Sequence, residues 1–498
     1  MNIGIETYGT IKPYYIQTLA MTYFPGAKFP ELEHIFQADL RIFVEVIKRD
    51  GEIMANAALI HGSEGYRWTE TIKIDSVHGD LDRAKKVAAG KAFMKAAERM
   101  TGIVPPWGIL TGVRPAKVVT ELLERGFSPD EVAAIISRDY SVSPIKARLA
   151  TDVAVAEGKV ITPQSRRECS VYIGIPFCPT RCAYCSFVSY TSPKLLSLIP
   201  DYLDALENDI DGIFSVIRDL GMKVSTVYIG GGTPTILDAS QLDRLLSRVN
   251  SHADGLTEFT LEAGRPDTIT EDKLKVAATH GVDRISVNTQ TLNDEVLRKI
   301  GRAHDTRMFF EAYETAKRIG IKNINVDLIA GLPYDTTGSF KDTVDRVIGL
   351  DPENITVHTF SVKRSSEFKT EGRFDADSRT AADSVDYSQK VLTESGYLPY
   401  YMYRQKNTVG NLENVGYAKP GHEGLYNIYM MEEVHTVFAA GASSVTKLVS
   451  VPDADGNVRI ERLFQPKYPY EYLDNHRGEA AGEKLDIMRK AAREFFDK

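Results

Sequence analysis

Three of the four cysteines of this 498-residue chain fall in one short stretch, Val171-Tyr-Ile-Gly-Ile-Pro-Phe-Cys-Pro-Thr-Arg-Cys-Ala-Tyr-Cys-Ser186. Their spacing is C-x3-C-x2-C: Cys178, Cys182 and Cys185. Three soft thiolates packed into one turn, just after an apolar strand-like run, suit an iron–sulfur cluster. A cubane of four irons has four corners, so three cysteines leave one iron open to a small molecule. Two other uses compete. A disulfide would close a loop of a few residues and stabilise little, in a chain too poor in cysteine for an oxidised framework. A structural zinc ion wants four ligands, usually in two pairs; there is no second pair, and Cys169 lies nine residues upstream. Cys169 itself reads as a buried thiol at the start of a strand.

A second set of polar residues follows at wider spacing. Glu262, Gln290 and Asp327 each come after a short apolar or β-branched run (Phe259–Leu261, Arg284–Val287, Ile324–Val326), so each is expected at or near the C-terminal end of a parallel strand. Ligand sites in α/β barrels gather at that end. Carboxylates and amides there can take hydrogen bonds from ribose hydroxyls and adenine, and Arg302 can pair with a carboxylate. Any one of them alone would read as an ordinary strand-end polar group. Between the two sets lies Tyr228-Ile-Gly-Gly-Gly-Thr-Pro-Thr235, where a backbone without Cβ atoms can approach a ligand closely, although a plain turn would use the same glycines.

The cysteine spacing resembles the radical S-adenosylmethionine (SAM) superfamily, and over residues 169 to 450 the chain is similar to the oxygen-independent coproporphyrinogen III oxidases and their relatives, nearest to the HemZ-type members. That resemblance implies a [4Fe-4S] cluster on Cys178, Cys182 and Cys185, with SAM chelating the open iron and cleaved there to a 5′-deoxyadenosyl radical. It implies SAM contacts at Tyr172, Tyr184, Gly231, Gly232, Thr233, Glu262, Gln290, Arg302 and Asp327. It also places Val445, after the glycine turn Ala439-Ala-Gly-Ala-Ser-Ser444, against adenine. Gln290, Arg302 and Asp327 match the pocket for a second SAM. A tetrapyrrole substrate, coproporphyrinogen III, and an electron donor such as flavodoxin or ferredoxin complete the implied partners, around a monomer.

Two departures matter. Where the best-characterised members carry a further cysteine after the third, this chain has Ser186-Phe187. The histidine–asparagine signature of the haem-chaperone relatives is altered, because Leu425-Tyr-Asn-Ile-Tyr429 keeps the asparagine but puts Tyr426 in the histidine's place. Three functions therefore compete: oxidative decarboxylation of two propionates of coproporphyrinogen III, haem chaperoning, and radical methylation or ring opening of haem.

Composition fits an enzyme of more than one domain. With 43% apolar residues the chain can bury several cores. No apolar run is long enough to cross a bilayer, and Met1–Tyr23 lacks the basic start and apolar stretch of a leader, so a cytoplasmic location without a membrane partner is expected. Net charge is −8, from 60 basic and 68 acidic residues in mixture, which gives a nucleic acid no electrostatic footing. A multiply anionic substrate would need local bases; Arg364, Arg404, Lys406, Lys419, His422 and His358 are the candidates, against the plainer reading of solvated or core groups.

The elements that must position these residues divide at the cysteine loop. Alternating runs at 40–47, 53–60 and 66–74 predict a small antiparallel sheet, followed by helices up to residue 158. From 169 to 360, strands at Ser170–Ile175, Val224–Ile229, Phe259–Glu262, Arg284–Val287, Ile324–Ile329 and Ile355–Val357 alternate with amphipathic helices. Six such βα units make a partial TIM-like (β/α)6 barrel. The expected organisation is an α/β protein with an N-terminal α+β domain over 1–160, the radical SAM barrel over 161–360, and a C-terminal α/β extension over 361–498 covering the open side.

Overall fold

The computed structural model describes residues 1–77, 80–112, 114–185, 189–361, 378–405, 408–453, 457–476 and 479–497. They group into two compact units, Met1–Val155 with Met402–Glu413, and Ala156–Tyr401 with Asn414–Lys498.

In the first unit, β1 (Ile3–Tyr8) runs parallel to β2 (Leu40–Arg49), and β3 (Glu52–His61) and β4 (Glu64–Lys73) continue the sheet antiparallel. The reversal between β2 and β3 turns on Gly51 at φ +80°, a left-handed conformation that glycine takes without a Cβ clash. Alternation decides the faces: Leu40, Ile42, Val44 and Val46 are buried, as are Ile53, Ala55, Ala57 and Leu59. The alanine-rich helix Leu81–Thr101 packs on the sheet through Ala84, Val87, Ala88, Ala92 and Phe93. The three antiparallel strands follow the sequence expectation. The leading strand β1 was not foreseen, since its parallel partner is more than thirty residues away and no turn signal joins them.

A second polar core lies further on in the same unit. Lys146 Nζ stands 2.8 Å from Glu413 Oε1, with both side chains sealed from water, and the Trp107 indole N–H donates to Glu413 Oε2 at 2.7 Å. Arg404 lies over the Trp107 ring and donates to the carbonyls of Leu110 and Asn411. Leu110-Thr-Gly-Val-Arg-Pro115 therefore begins as part of a packed core.

The second unit is built on β5 (Glu168–Ile175), β6 (Lys223–Gly231), β7 (Glu258–Gly264), β8 (Arg284–Val287), β9 (Asn323–Ala330) and β10 (Asn354–Thr359), each parallel to the next. These are the six expected strands, each two or three residues longer than expected except for β8. Helices Ile199–Asp219, Ala239–Asn250, Glu271–Thr279, Thr306–Ile319 and Thr337–Gly349 form the crossovers. Their starts are written locally. Asp238 and Gln241 make a reciprocal capping box, and Thr270, Asp305 and Thr336 accept from backbone amides three residues on.

The C-terminal segment contributes strands to both edges of this sheet. On one edge β12 (Glu413–Ala418) pairs antiparallel with β10 and is followed by β11 (Leu398–Arg404). On the other, β13 (Thr436–Ala440) lies parallel to β5, then β14 (Val445–Val449) and β15 (Ile460–Phe464) run antiparallel, giving eleven strands. The apolar run near 399–404 predicts a strand or two, and β11 lies there. β12 and β13 escaped because they are buried on both faces and so lack alternation.

Candidate active site at the barrel mouth

The cysteine loop leaves β5 through Pro176-Phe177 and is pinned from three sides. At its base, Cys178 N donates to Tyr190 O (3.1 Å) and Tyr190 N to Pro176 O (2.9 Å). The glycine motif at the end of β6 clips over it: Gly232 N donates to Ile175 O and Thr233 N to Phe177 O, both at 2.8 Å. A Cβ on residue 232 would sit 2.6 Å from Phe177 O and 2.9 Å from Cys178 Sγ, so only glycine fits. Thr233 Oγ1 lies 3.3 Å from the same sulfur. On the far side Ala183 N donates to Ile300 O (3.0 Å), while Arg265, held by Asp267, donates to Thr180 O (3.0 Å) and Oγ1 (2.8 Å). None of the four cysteines forms a disulfide.

A second group faces this loop from β7, β8 and β9. Glu262 accepts from the Gly231 N–H and the Tyr228 hydroxyl. Tyr172 stacks on Tyr228 with ring centroids 6.1 Å apart, and Tyr228 stacks on Tyr426 at 4.7 Å. The Asp327 carboxylate accepts from Asn288 Nδ2 and Asn325 Nδ2, each at 2.7 Å, and His358 Nε2 stands 3.8 Å away. Gln290 N donates to Asp327 O at 2.9 Å. Arg302 donates to the Asn288 carbonyl and reaches the Cys182 side chain, as does Tyr184.

These groups ring the mouth. Contacts pass from Cys182 to Arg302, Asn288 and Asp327, and from Cys178 through Gly232 and Gly231 to Glu262, while Asp327 and Glu262 act on each other as like charges. Twelve of the thirteen site residues expected from the sequence lie in or directly beside that ring, Cys185 through its N–H to Cys182 O at 3.0 Å. Val445 stands apart at the head of β14, two strands beyond β5, near the Gly441 turn whose backbone crowds Gly174.

The electrostatics of the ring are uneven. Burial and the neighbouring Asp327 charge push the Glu262 carboxyl up to about 7. Burial also opposes ionisation of Asp327, but the His358 imidazole and the bonds from Asn325 and Thr356 outweigh it and hold that carboxyl below its ordinary value. His304, beside Arg302, is driven down to about 3 by burial and the guanidinium, and is therefore neutral. Neither ring nitrogen of His304 has a hydrogen-bond partner among the described residues, nor does Arg302 Nε. Buried polar atoms without partners are uncommon in folded proteins and mark a place where a group belongs.

The donor set fits an iron–sulfur cluster with a polar ligand. Among the described residues no three His, Cys, Asp or Glu side chains form a group that could hold a single metal ion. A cluster asks for one thiolate per iron instead, on a loop free to surround it. The cradle at Gly231–Gly232 and the unpartnered atoms of Arg302 and His304 leave polar contacts for the ligand.

Other sequence candidates go elsewhere. Cys169 is fully buried outside the loop, its thiol directed at Lys223 O (3.6 Å). Arg404 belongs to the first unit's core. Lys419 pairs with Asp351 at 2.8 Å, and His422 bonds Asn323 at 2.7 Å where β9 begins, the end opposite to Asp327. Arg364 and Lys406 lie outside the described residues. The residues that sequence reasoning passed over are Asn288, His304, Asn325 and Tyr228. Asn288 and His304 each sit two positions from a residue that was singled out, and only the fold shows that they meet it.

Residues 172–347 match the model of the radical SAM superfamily. Loop and barrel together define a radical SAM protein, a class that uses a [4Fe-4S] cluster and SAM. Over 416 residues, 81% of each chain, the sequence is 39% identical to the oxygen-independent coproporphyrinogen-III oxidase-like protein HemZ of Bacillus subtilis (strain 168). It is 31% identical over 319 residues to the heme chaperone HemW of the same organism, covering 62% of this chain and 78% of that one. Among solved structures, coproporphyrinogen III oxidase (HemN) from Escherichia coli aligns at a TM-score of 0.47 and 26% identity, over 59% of this chain and 67% of that one. The chain belongs to the family of oxygen-independent coproporphyrinogen III oxidase-like proteins. No helix among the described residues is long and apolar enough to cross a membrane.

Proposed function

We propose that this protein is an oxygen-independent coproporphyrinogen III dehydrogenase, converting two propionate side chains of its tetrapyrrole to vinyl groups, each losing one hydrogen atom to the SAM-derived radical, its carboxyl group as carbon dioxide, and one electron to an external acceptor. Cys178, Cys182 and Cys185 hold the cluster, and Tyr172, Tyr184, Gly231, Gly232, Thr233 and Glu262 line the SAM beside it. Gln290, Arg302 and Asp327 offer the contacts for a second. When bound, cluster and SAM supply a carbon radical able to take a hydrogen atom from an unactivated carbon. The chain's own residues do the rest: the glycine cradle admits the ligand to within contact of the loop, Glu262 and Asp327 accept from hydroxyls, and Arg302 meets a carboxylate.

The observation that carries this reading is the convergence of these groups: Arg302, Asn288 and Asp327 meet the loop at Cys182, and the glycine cradle beside Glu262 meets it at Cys178. The chaperone reading is the less favoured because of Tyr426. That residue is buried against Tyr228 and offers no imidazole where the chaperone signature has one.

Anaerobic incubation of the reconstituted protein with coproporphyrinogen III, SAM and a reductant, followed by mass analysis of the tetrapyrrole, tests the proposal. Loss of two carboxyl groups is the expected result. An unchanged tetrapyrrole together with tight haem binding would overturn it in favour of the chaperone.

A further inference from the structure

Asn288 touches both charged groups on the far side of the mouth. β8 is only four residues long and ends at Val287, and backbone pairing with β9 resumes only at the Gln290–Leu328 bridge, leaving a gap between them. The Asn288 side chain takes over. Its Oδ1 accepts from Asp327 N (3.1 Å) and its Nδ2 donates to Asp327 Oδ2 (2.7 Å), while its own carbonyl accepts from Arg302. Asn288 N donates to Gly264 O (3.0 Å), which ties the loop to β7 as well. Two residues on, Gln290 holds φ at +69°, a region that non-glycine residues seldom occupy, and in doing so delivers its N–H to Asp327 O. One short loop thus grips Asp327 at its amide, its carbonyl and its carboxylate.

The arrangement keeps two opposite charges apart. Arg302 and Asp327 form no ion pair with each other among the described residues; each is bonded to Asn288, and Arg302 Nε still lacks a partner. Asn288 bonds the cation through its main-chain carbonyl and the anion through its side-chain amide, and so acts as a spacer. Without the side-chain amide the Asp327 carboxylate is free to swing toward the guanidinium, and the two would neutralise one another.

We propose that Asn288 is a positioning residue: it holds the Arg302 guanidinium and the Asp327 carboxylate apart and aimed, so that together they receive one zwitterionic ligand bearing a carboxylate and hydroxyl or ammonium donors. This rests on the reading of the mouth as a SAM site.

The test uses reconstituted holoprotein and equilibrium dialysis against SAM, with no tetrapyrrole present, alongside iron content and the visible cluster absorbance. N288A should weaken SAM binding about tenfold, or that of the weaker SAM where two bind, as expected for a buried charged group losing one partner, with iron unchanged. N288D sharpens the case. At pH 8 it sets two carboxylates in contact and should bind still more weakly; toward pH 6 a proton shared between them restores an O–H donor, and its affinity relative to wild type should recover. Glu262 on β7, His358 on β10, Arg302 and His304 also face this point and titrate in every variant, so N288A, which adds no carboxylate, sets the baseline. The acidic recovery should be larger in N288D than in N288A. Wild-type affinity in both variants, or a loss in N288D with no acidic recovery, overturns the proposal, as does loss of iron in both, which would mark a purely structural role. A wild-type holoprotein that binds no SAM would instead sink the reading of the mouth itself.

Discussion

Two glutamates show what separates a structural polar group from a working one. In the first unit Glu413 is sealed from water with Lys146 at 2.8 Å and the Trp107 N–H at 2.7 Å. Burial opposes its ionisation, but the ammonium and these bonds win and hold the carboxyl below its ordinary value. At the barrel mouth Glu262 has no cation of its own. Its nearest strong charge is another carboxylate, Asp327, and burial with that repulsion drives it up to about 7. A matched partner settles a group. An unmatched one leaves it waiting for something that is not part of the chain.

The cysteines repeat the contrast within one unit, and there the expected effect is largest. Cys182→Ala removes one of three loop thiolates and should abolish iron loading and reductive cleavage of SAM, whereas Cys169→Ala should leave both intact. Bound iron and the visible absorbance decide it; full iron in the Cys182 variant breaks the assignment.

Next in size is the settled pair. Lys146→Met strands Glu413 without its cation in the interior and should destabilise the protein by about 3–5 kcal/mol in chemical denaturation. A change under about 1 kcal/mol would mean that Glu413 simply takes up a proton, and the contrast with Glu262 would fade.

Asp327→Ala should do the opposite kind of damage. It deletes a ligand acceptor and relieves Glu262 of a like charge, so tetrapyrrole conversion should fall by about tenfold or more while stability moves by about 1 kcal/mol or less. Equal losses in both would place Asp327 with the structural groups.

The smallest effect is also the most discriminating, because its sign differs between the two glutamates. Glu262 has a folded pKa above its unfolded value, so between about pH 4.5 and 7 the folded state holds more proton and stability falls as pH rises. Glu262→Gln should remove that fall, on the order of 1–3 kcal/mol. Glu413 has a folded pKa below its unfolded value; its contribution is present above about pH 4.5 and is lost as pH drops through the folded value. Glu413→Gln should therefore flatten the acid limb and leave the limb between pH 4.5 and 7 unchanged. Parallel pH curves for the two variants would refute the distinction.

Much of the barrel could be read in advance. Strands β5 to β10 announce themselves as short apolar, β-branched runs, and their helices as amphipathic stretches with capping residues, because both signals are local. The cysteine loop, the glycine motif, the three strand-end groups and Arg302 were equally visible as types at intervals. What stayed hidden is pairing across long separations. Lys146 and Glu413 lie more than 260 residues apart, and nothing in either neighbourhood names the other. Arg404 looked like a surface base and is a core residue. Asn288 was unremarkable until β8 proved to stop one residue before it. Strands β12 and β13 escaped for a related reason, since a strand covered on both faces carries no alternation to betray it.

The seat of the cysteine loop has a bearing on when the protein can acquire its metal. Thr180 meets Gly301, 121 residues further along the chain, and Ala183 is held by Ile300. As the polypeptide emerges from the ribosome, all three thiols are therefore in solution long before the segment that encloses them exists. Iron delivered at that moment would meet a loose loop open to oxidants and stray metals, so maturation belongs after the segment that follows the fourth barrel strand has been made.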